Sequence, residues 1–350
     1  MRSGLLDRYR RRKTDISAAC DQNIIHEVLL LLAACPHSDR EYRGMRSSIK
    51  PSEKAKMPRQ GNKLTDMAQL LEILDLEKIE EGKYRGASPD VGWQRVFGGL
   101  VISQALVAAC RTAPEGRHVH SLHAYFLRPG DPSLPILYEV ENMRDGGSFS
   151  TRRAIAIQRG KPIFALSASF QIDESGLTHQ IDMPDVPAPE TLPDARELYE
   201  TYLKQAPDHV RAYWLRERPV EVRPVSMTHY VSRERLTPSQ HIWIKGNGAP
   251  PADRALRAAV LAYLSDMTLL DTALFAHGQS VFDRDIQAAS LDHAMWFHAE
   301  DPLDDWLLYT QDSPFAGGAR GLSRGAIYNR SGRLIASTAQ EGLIRKRADD

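Results

Sequence analysis

Asp266 has the setting in this 350-residue chain that most suggests chemistry. It sits between two apolar runs, Ala255–Leu264 (ALRAAVLAYL) and Met267–Ala276 (MTLLDTALFA). An acid at that place either is desolvated or opens onto a cleft, and burying an unpaired charge is expensive. The structural alternatives are a helix-surface acid paired with Arg254 or Arg257, or one exposed at a kink. Gly321-Leu322-Ser323-Arg324-Gly325 matches the G-x-S-x-G nucleophile elbow. That motif needs a strand on one side, a helix on the other, and a histidine downstream. Strand-like text flanks it on both sides and the last histidine is His298, so turn glycines around a sheet residue are the expectation. His293, His298 and Asp292 offer metal-ligand types. Five residues apart in a strand, however, the two histidines point to opposite faces, and no HExxH helix exists. Ser290, ahead of Leu291-Asp292-His293, and Gln340, in Ser337-Thr338-Ala339-Gln340, are ordinary polar residues when taken alone. No P-loop, no GxGxxG before a helix and no basic–aromatic stripe occurs, so nucleotide and nucleic-acid sites are not expected.

The elements that must position these residues form two similar arrangements. Met67–Leu76 reads as a short amphipathic helix, and Gly98-Gly99 opens Leu100–Ala109, apolar almost all the way round. A helix of that kind must be covered on all sides. Strand-like runs follow at 121–127, 135–142, 148–158 and 162–172, with turns at Arg144–Gly147 and Arg159-Gly160. Residues 173–218 break the pattern: Pro184, Pro187, Pro189 and Pro193 prevent regular sheet, and a helical insert follows. Then the order returns, with an apolar helix over 255–276 and strands over 286–297, 306–311, 318–328 and 333–345. SLHAYF at Ser121 resembles SLDHAMWF at Ser290, which puts His123 and His293 in matching places and favours a structural role for them. A repeat of this length is too long for a solenoid unit. It predicts two copies of one α+β module, each a buried helix wrapped by an antiparallel sheet.

Composition sets bounds. Hydrophobic residues make up 42% of the chain, enough for a sizeable core. Lys+Arg and Asp+Glu balance at 45 each, which gives no general pull toward nucleic acid or anionic membrane. Cys20, Cys35 and Cys110 show no CxxC spacing, so neither a disulfide framework nor a zinc site is expected and a reducing cytoplasm fits best. No run approaches the length of a membrane span; the longest candidate, Ile24–Cys35, is broken by His26 and Glu27. Residues 1–63 carry a net charge of +7 and are Pro-interrupted, so they are placed outside the fold. Asp15, Asp21 and Glu27 argue against a signal peptide there. A start at Met57 or Met67, or a disordered tail, are the other accounts.

Several stretches, in order from about 67 to 346, resemble the type II acyl-CoA thioesterase family. They are Leu76–Gly82 (LEKIEEG), Val96–Gly99 (VFGG), Tyr125–Asp131 (YFLRPGD), Arg144–Phe149 (RDGGSF), Leu291–His298 (LDHAMWFH) and Ser337–Gly342 (STAQEG). The resemblance implies an α+β double hotdog fold. On it, 64–172 would be the first hotdog, 173–218 the Pro-rich linker and helical insert, and 219–346 the second hotdog. It also implies which polar residues act: an Asp on the second central helix, a hydroxyl residue before the L-D-H text and a Gln in the last strand. Those positions are Asp266, Ser290 and Gln340. The hydroxyl residue, commonly Thr in the family, is Ser here, which keeps donor and acceptor but lacks the methyl that fixes the rotamer.

The chemistry implied is hydrolysis of acyl-CoA, of medium to long chain, to fatty acid and CoA, with no metal or cofactor. Asp266 takes a proton from water held by Ser290 and Gln340, and backbone N–H groups near a helix start receive the oxyanion. The rivals are a non-catalytic acyl-CoA-binding module and a hotdog dehydratase. Open sheet edges and outer faces predict further assembly into dimers or tetramers.

Overall fold

The computed structural model describes residues 64–89, 95–204 and 206–347, so the extension 1–63 lies outside the described residues. The chain enters through helix α1 (Met67–Leu74) and a hairpin of β1 (Glu77–Glu80) and β2 (Lys83–Gly86). The apolar helix α2 (Gly98–Cys110) follows, and every residue from Gly99 to Ala109 is buried. Fully burying side chains such as Leu100, Ile102 and Leu106 stabilises by roughly 2 kcal/mol each. Strands β3 (Arg117–Phe126), β4 (Ile136–Asp145), β5 (Phe149–Gln158) and β6 (Lys161–Ile172) wrap this helix. Arg159 and Gly160, both at positive φ, make the two-residue turn between β5 and β6, the conformation that matches strand twist. The single amide inside α2, Gln104, is satisfied: it donates to Ile73 O and Ala87 O (both 3.0 Å) and accepts from the Tyr138 hydroxyl (2.8 Å).

The second half repeats the plan. After the insert, which includes helix α3 (Asp208–Leu215), come β7 (Val220–Pro224) and β8 (Ser239–Gly246). Helix α4 (Arg254–Ser265) packs against α2. Then β9 (Ile286–Ser290), β10 (Asp292–Phe297), β11 (Leu307–Gly317), β12 (Arg320–Asn329) and β13 (Leu334–Lys346) complete the sheet. The strand order is β1-β2-β4-β5-β6-β3-β10-β13-β12-β11-β8-β7, with β9 beside β13, and every pairing is antiparallel. The halves meet where β3 pairs with β10, so the repeated strands lie side by side at the centre of one continuous sheet.

Three expectations need correction. The apolar helix over 255–276 is not continuous. It stops at Ser265, and after Thr268 (φ 63°) the chain resumes as a 3-10 turn, Leu269–Asp271, and a short helical turn, Thr272–Phe275. Arg254–Phe275 is long and apolar enough in mean composition to cross a membrane, although Arg254, Arg257, Asp266 and Asp271 interrupt it. Most of it is buried inside the protein, against α2 and the sheet.

The strand over 286–297 is interrupted at Leu291. His123 and His293 do not match in space: His293 is 1% exposed, whereas His123 lies on the outer face against Trp296. The two texts differ by one inserted residue, and a one-residue slip reverses the face. The Pro-rich segment is free of sheet as expected. It packs Met183, Val186 and Leu192 over Trp243, Trp306 and Tyr328, and Pro187 O accepts from the Trp243 indole at 2.9 Å.

Candidate active site

The site is built where the end of α4 meets the start of α2. Asp266 is the C-cap residue of α4, partly buried. Its neighbours are not the arginines of its own helix. Arg254 pairs with Asp173 and Arg257 with Glu300, at the far end of α4. The carboxylate instead meets the N-terminus of α2. The Gly99 N–H donates to it, one of the four amides a helix start leaves without an intrahelical acceptor. The approach requires a glycine at 98: a Cβ there would lie 2.6 Å from Asp266 Oδ2 and 2.9 Å from Phe126 Cζ.

Gln340, 1% exposed on β13, supplies the second contact. Its Nε2 donates to Asp266 Oδ1 at 2.6 Å and to Ser290 Oγ at 2.9 Å, one hydrogen for each. The Gln340 Oε1 is buried with no hydrogen-bond partner among the described residues. The three residues expected from the sequence are therefore brought together, 50 and 74 positions apart in the chain.

Ser290 reaches this group through a bulge. Ala294 lies opposite Ala339, but Ser290 lies opposite Gly342, so one extra residue is accommodated near Leu291. In a regular strand, residues 290 and 293 face opposite ways; with the bulge, Ser290 and His293 both face inward. Side-chain and backbone bonds hold it: Glu341 N–H donates to Asp292 Oδ1 (2.7 Å), Leu291 N–H to Glu341 O (2.9 Å) and Phe126 N–H to Leu291 O (2.9 Å). Gly342 is needed opposite, since a Cβ there would sit 2.4 Å from Leu270 Cδ1. His293 turns its Nε2 to Ser265 Oγ (2.8 Å), the residue before the acid, and burial pushes its pKa down to about 4. It is a neutral structural imidazole.

Burial pushes the Asp266 carboxyl up to about 6, and the bonds from Gln340 and Gly99 oppose that rise by favouring the charged form. A carboxylate tuned toward neutrality suits a general base. Ser323 has no such surroundings. It is fully buried in β12, opposite Gln340 on β13, and its hydroxyl accepts from Thr272 Oγ1 at 2.9 Å. Strands lie on both sides of it, as the sequence predicts for a motif that is not an elbow. The acid, the amide and the hydroxyl were legible as candidates. The α2 terminus as a ligand for Asp266 was not, because nothing in the text shows that residues 99 and 266 meet.

The sequence matches two family patterns, one described as "Acyl-CoA thioesterase" over residues 210–343 and one as "Acyl-CoA thioesterase N-terminal domain" over residues 86–171. It is similar to "Acyl-CoA thioesterase 2" of Haemophilus influenzae, 42% identical over 276 residues that cover 79% of this chain and 96% of the relative. Among solved structures, an acyl-CoA thioesterase II from Mycobacterium marinum is 41% identical. Its TM-score is 0.66, and the match covers 80% of this chain and 99% of the other. A hot dog fold protein of Alicyclobacillus acidocaldarius, 20% identical with a TM-score of 0.63 over 79% of this chain and 97% of its own, shares the architecture. The fold is the double hotdog.

Proposed function

The chain belongs to the acyl-CoA thioesterase family, and from that premise we propose that it hydrolyses medium- to long-chain acyl-CoA by direct attack of an Asp266-activated water. The observation that carries the mechanism is the Gln340 amide, which ties the Asp266 carboxylate to the Ser290 hydroxyl in one constellation. A water between Ser290 and Asp266 donates one proton to the carboxylate as its oxygen bonds the thioester carbonyl carbon. The C–S bond then breaks, and the proton passes to the departing CoA thiolate or to solvent. Gln340 Oε1, which has no hydrogen-bond partner among the described residues, is left to accept from that water. Holding the three reactants in line removes much of the entropic barrier. Phe97, Phe126 and Leu270, which crowd Gly99, Gly98 and Gly342, give the site apolar walls suited to an acyl chain.

The test is release of free thiol across a series of acyl-CoA lengths and pH values. The base works only when ionised, so kcat should rise with pH through a single limb near 6, where burial has placed the Asp266 carboxyl, and then level off. Medium and long chains should turn over faster than acetyl-CoA. No thiol release at any length, with acyl-CoA still bound, would favour a binding module instead. A limb near 4 would remove Asp266 in its buried state as the titrating group.

A further inference from the structure

We infer that Gln311 and Gln240 are positioning residues for this hydrolysis: paired across β11 and β8, they clamp Thr268 in the left-handed turn that ends α4 at Asp266 and aims its carboxylate at Gln340 and the start of α2. The inference rests on the role proposed for Asp266.

Thr268 has φ 63° and ψ −8° and is buried. A β-branched residue resists that conformation, which glycine adopts readily, so surrounding contacts must impose it. The contacts are present. Gln311 and Gln240 are directly opposite in register, and both are buried. Gln240 Nε2 donates to Gln311 Oε1 at 2.7 Å and to Thr268 O at 3.1 Å. Gln311 Nε2 donates to Thr268 Oγ1 at 3.0 Å, and that hydroxyl donates to Met267 O at 2.5 Å. The polar atoms of residues 267 and 268 are thus fastened to two strands.

Position is the consequence. Had residue 268 kept helical angles, α4 would continue into the apolar text beyond it, and Asp266 would lie inside a helix rather than at its cap. The preceding residue is also fixed, since the Tyr309 hydroxyl donates to Ser265 O at 2.7 Å. Asp266 therefore stands between two anchored neighbours. Neither glutamine hydrogen-bonds Asp266, Ser290 or Gln340 directly, so their effect on the reaction passes through the turn.

The test compares Gln311→Leu, Thr268→Gly, the two combined, and Asp266→Asn, using kcat and KM for decanoyl-CoA with melting temperature recorded. Gln311→Leu should lower kcat by roughly 10²-fold, the scale of a 1 Å misplacement, with KM little changed. Thr268→Gly alone should stay near wild type, because glycine takes the left-handed angle without strain and Gln240 still bonds the backbone O of residue 268. The double variant should recover most of the lost kcat. Gln240→Leu, alone and with Thr268→Gly, should follow the same pattern, and it supplies the comparison if Gln311→Leu does not fold. Unchanged kcat in the folded leucine variants, or a loss that glycine does not restore, would overturn the clamp. Wild-type turnover by Asp266→Asn would instead overturn the mechanism on which the clamp rests.

Discussion

Asp266→Asn is expected to lower kcat by roughly 10²–10⁴-fold, the usual cost of losing a general base, while acyl-CoA binding changes little. Asparagine has nearly the same shape and can still meet Gln340 and the Gly99 N–H, but it cannot accept the water's proton at operating pH. Kd for a non-hydrolysable acyl-CoA thioether, measured on the same sample, separates the two effects. Stability should move the other way. The folded state holds the Asp266 proton more tightly than the unfolded chain, whose value is 3.8 against about 6. That contribution is fully present below pH 4 and is lost as pH rises through 6. A buried carboxylate at pH 8 therefore costs up to about 3 kcal/mol, at 1.36 kcal/mol per unit. Asp266→Asn should melt higher than the parent at pH 8 and lose that advantage near pH 4. A variant that is slow but less stable at pH 8 would point to a damaged fold rather than a missing base.

Gln340→Ala should produce the next largest loss, on the order of 10²-fold in kcat. Its amide is the only side-chain donor to both Asp266 and Ser290 among the described residues, and removing it leaves the Gly99 N–H as the carboxylate's remaining donor. The pH limb should shift upward, because a bond that favours the charged form is gone. Combined with Asp266→Asn, the loss should fall far short of the product of the single losses, since residues that act as a unit are not additive. Multiplicative losses would mean that Gln340 serves the reaction independently of Asp266.

Asp266 could be singled out from the text because an acid between two apolar runs is costly, and the central helices were visible because the first is apolar almost all the way round and the second largely so. The strands of the first half were legible from alternation, as in β5, where Ser150, Arg152, Ala154 and Ala156 face in. Val220-Glu221-Val222-Arg223 alternates too, but it is short and ends at Pro224, and β1 and β2 are four residues each, so these short strands at the two ends of the sheet are not legible. Ser290 and Gln340 carried no signal beyond the family resemblance. Their meeting depends on a one-residue bulge and on register between strands, neither of which local sequence encodes. The break at Thr268 was invisible for a similar reason: threonine is a poor choice for a left-handed turn, and the glutamines that bond it lie 28 and 43 residues away.

The central claim is that water, activated by Asp266, attacks the thioester carbonyl directly. Single turnover in H₂¹⁸O, with enzyme in excess over acyl-CoA, tests it most directly. Mass spectrometry of both the released fatty acid and the peptide containing Asp266 reads the outcome. Direct attack predicts one ¹⁸O in the fatty acid after the first turnover and none in the protein. Appearance of ¹⁸O in the Asp266 carboxyl, with unlabelled fatty acid released first, would mean that Asp266 attacks the carbonyl itself through an acyl anhydride, and would contradict the account.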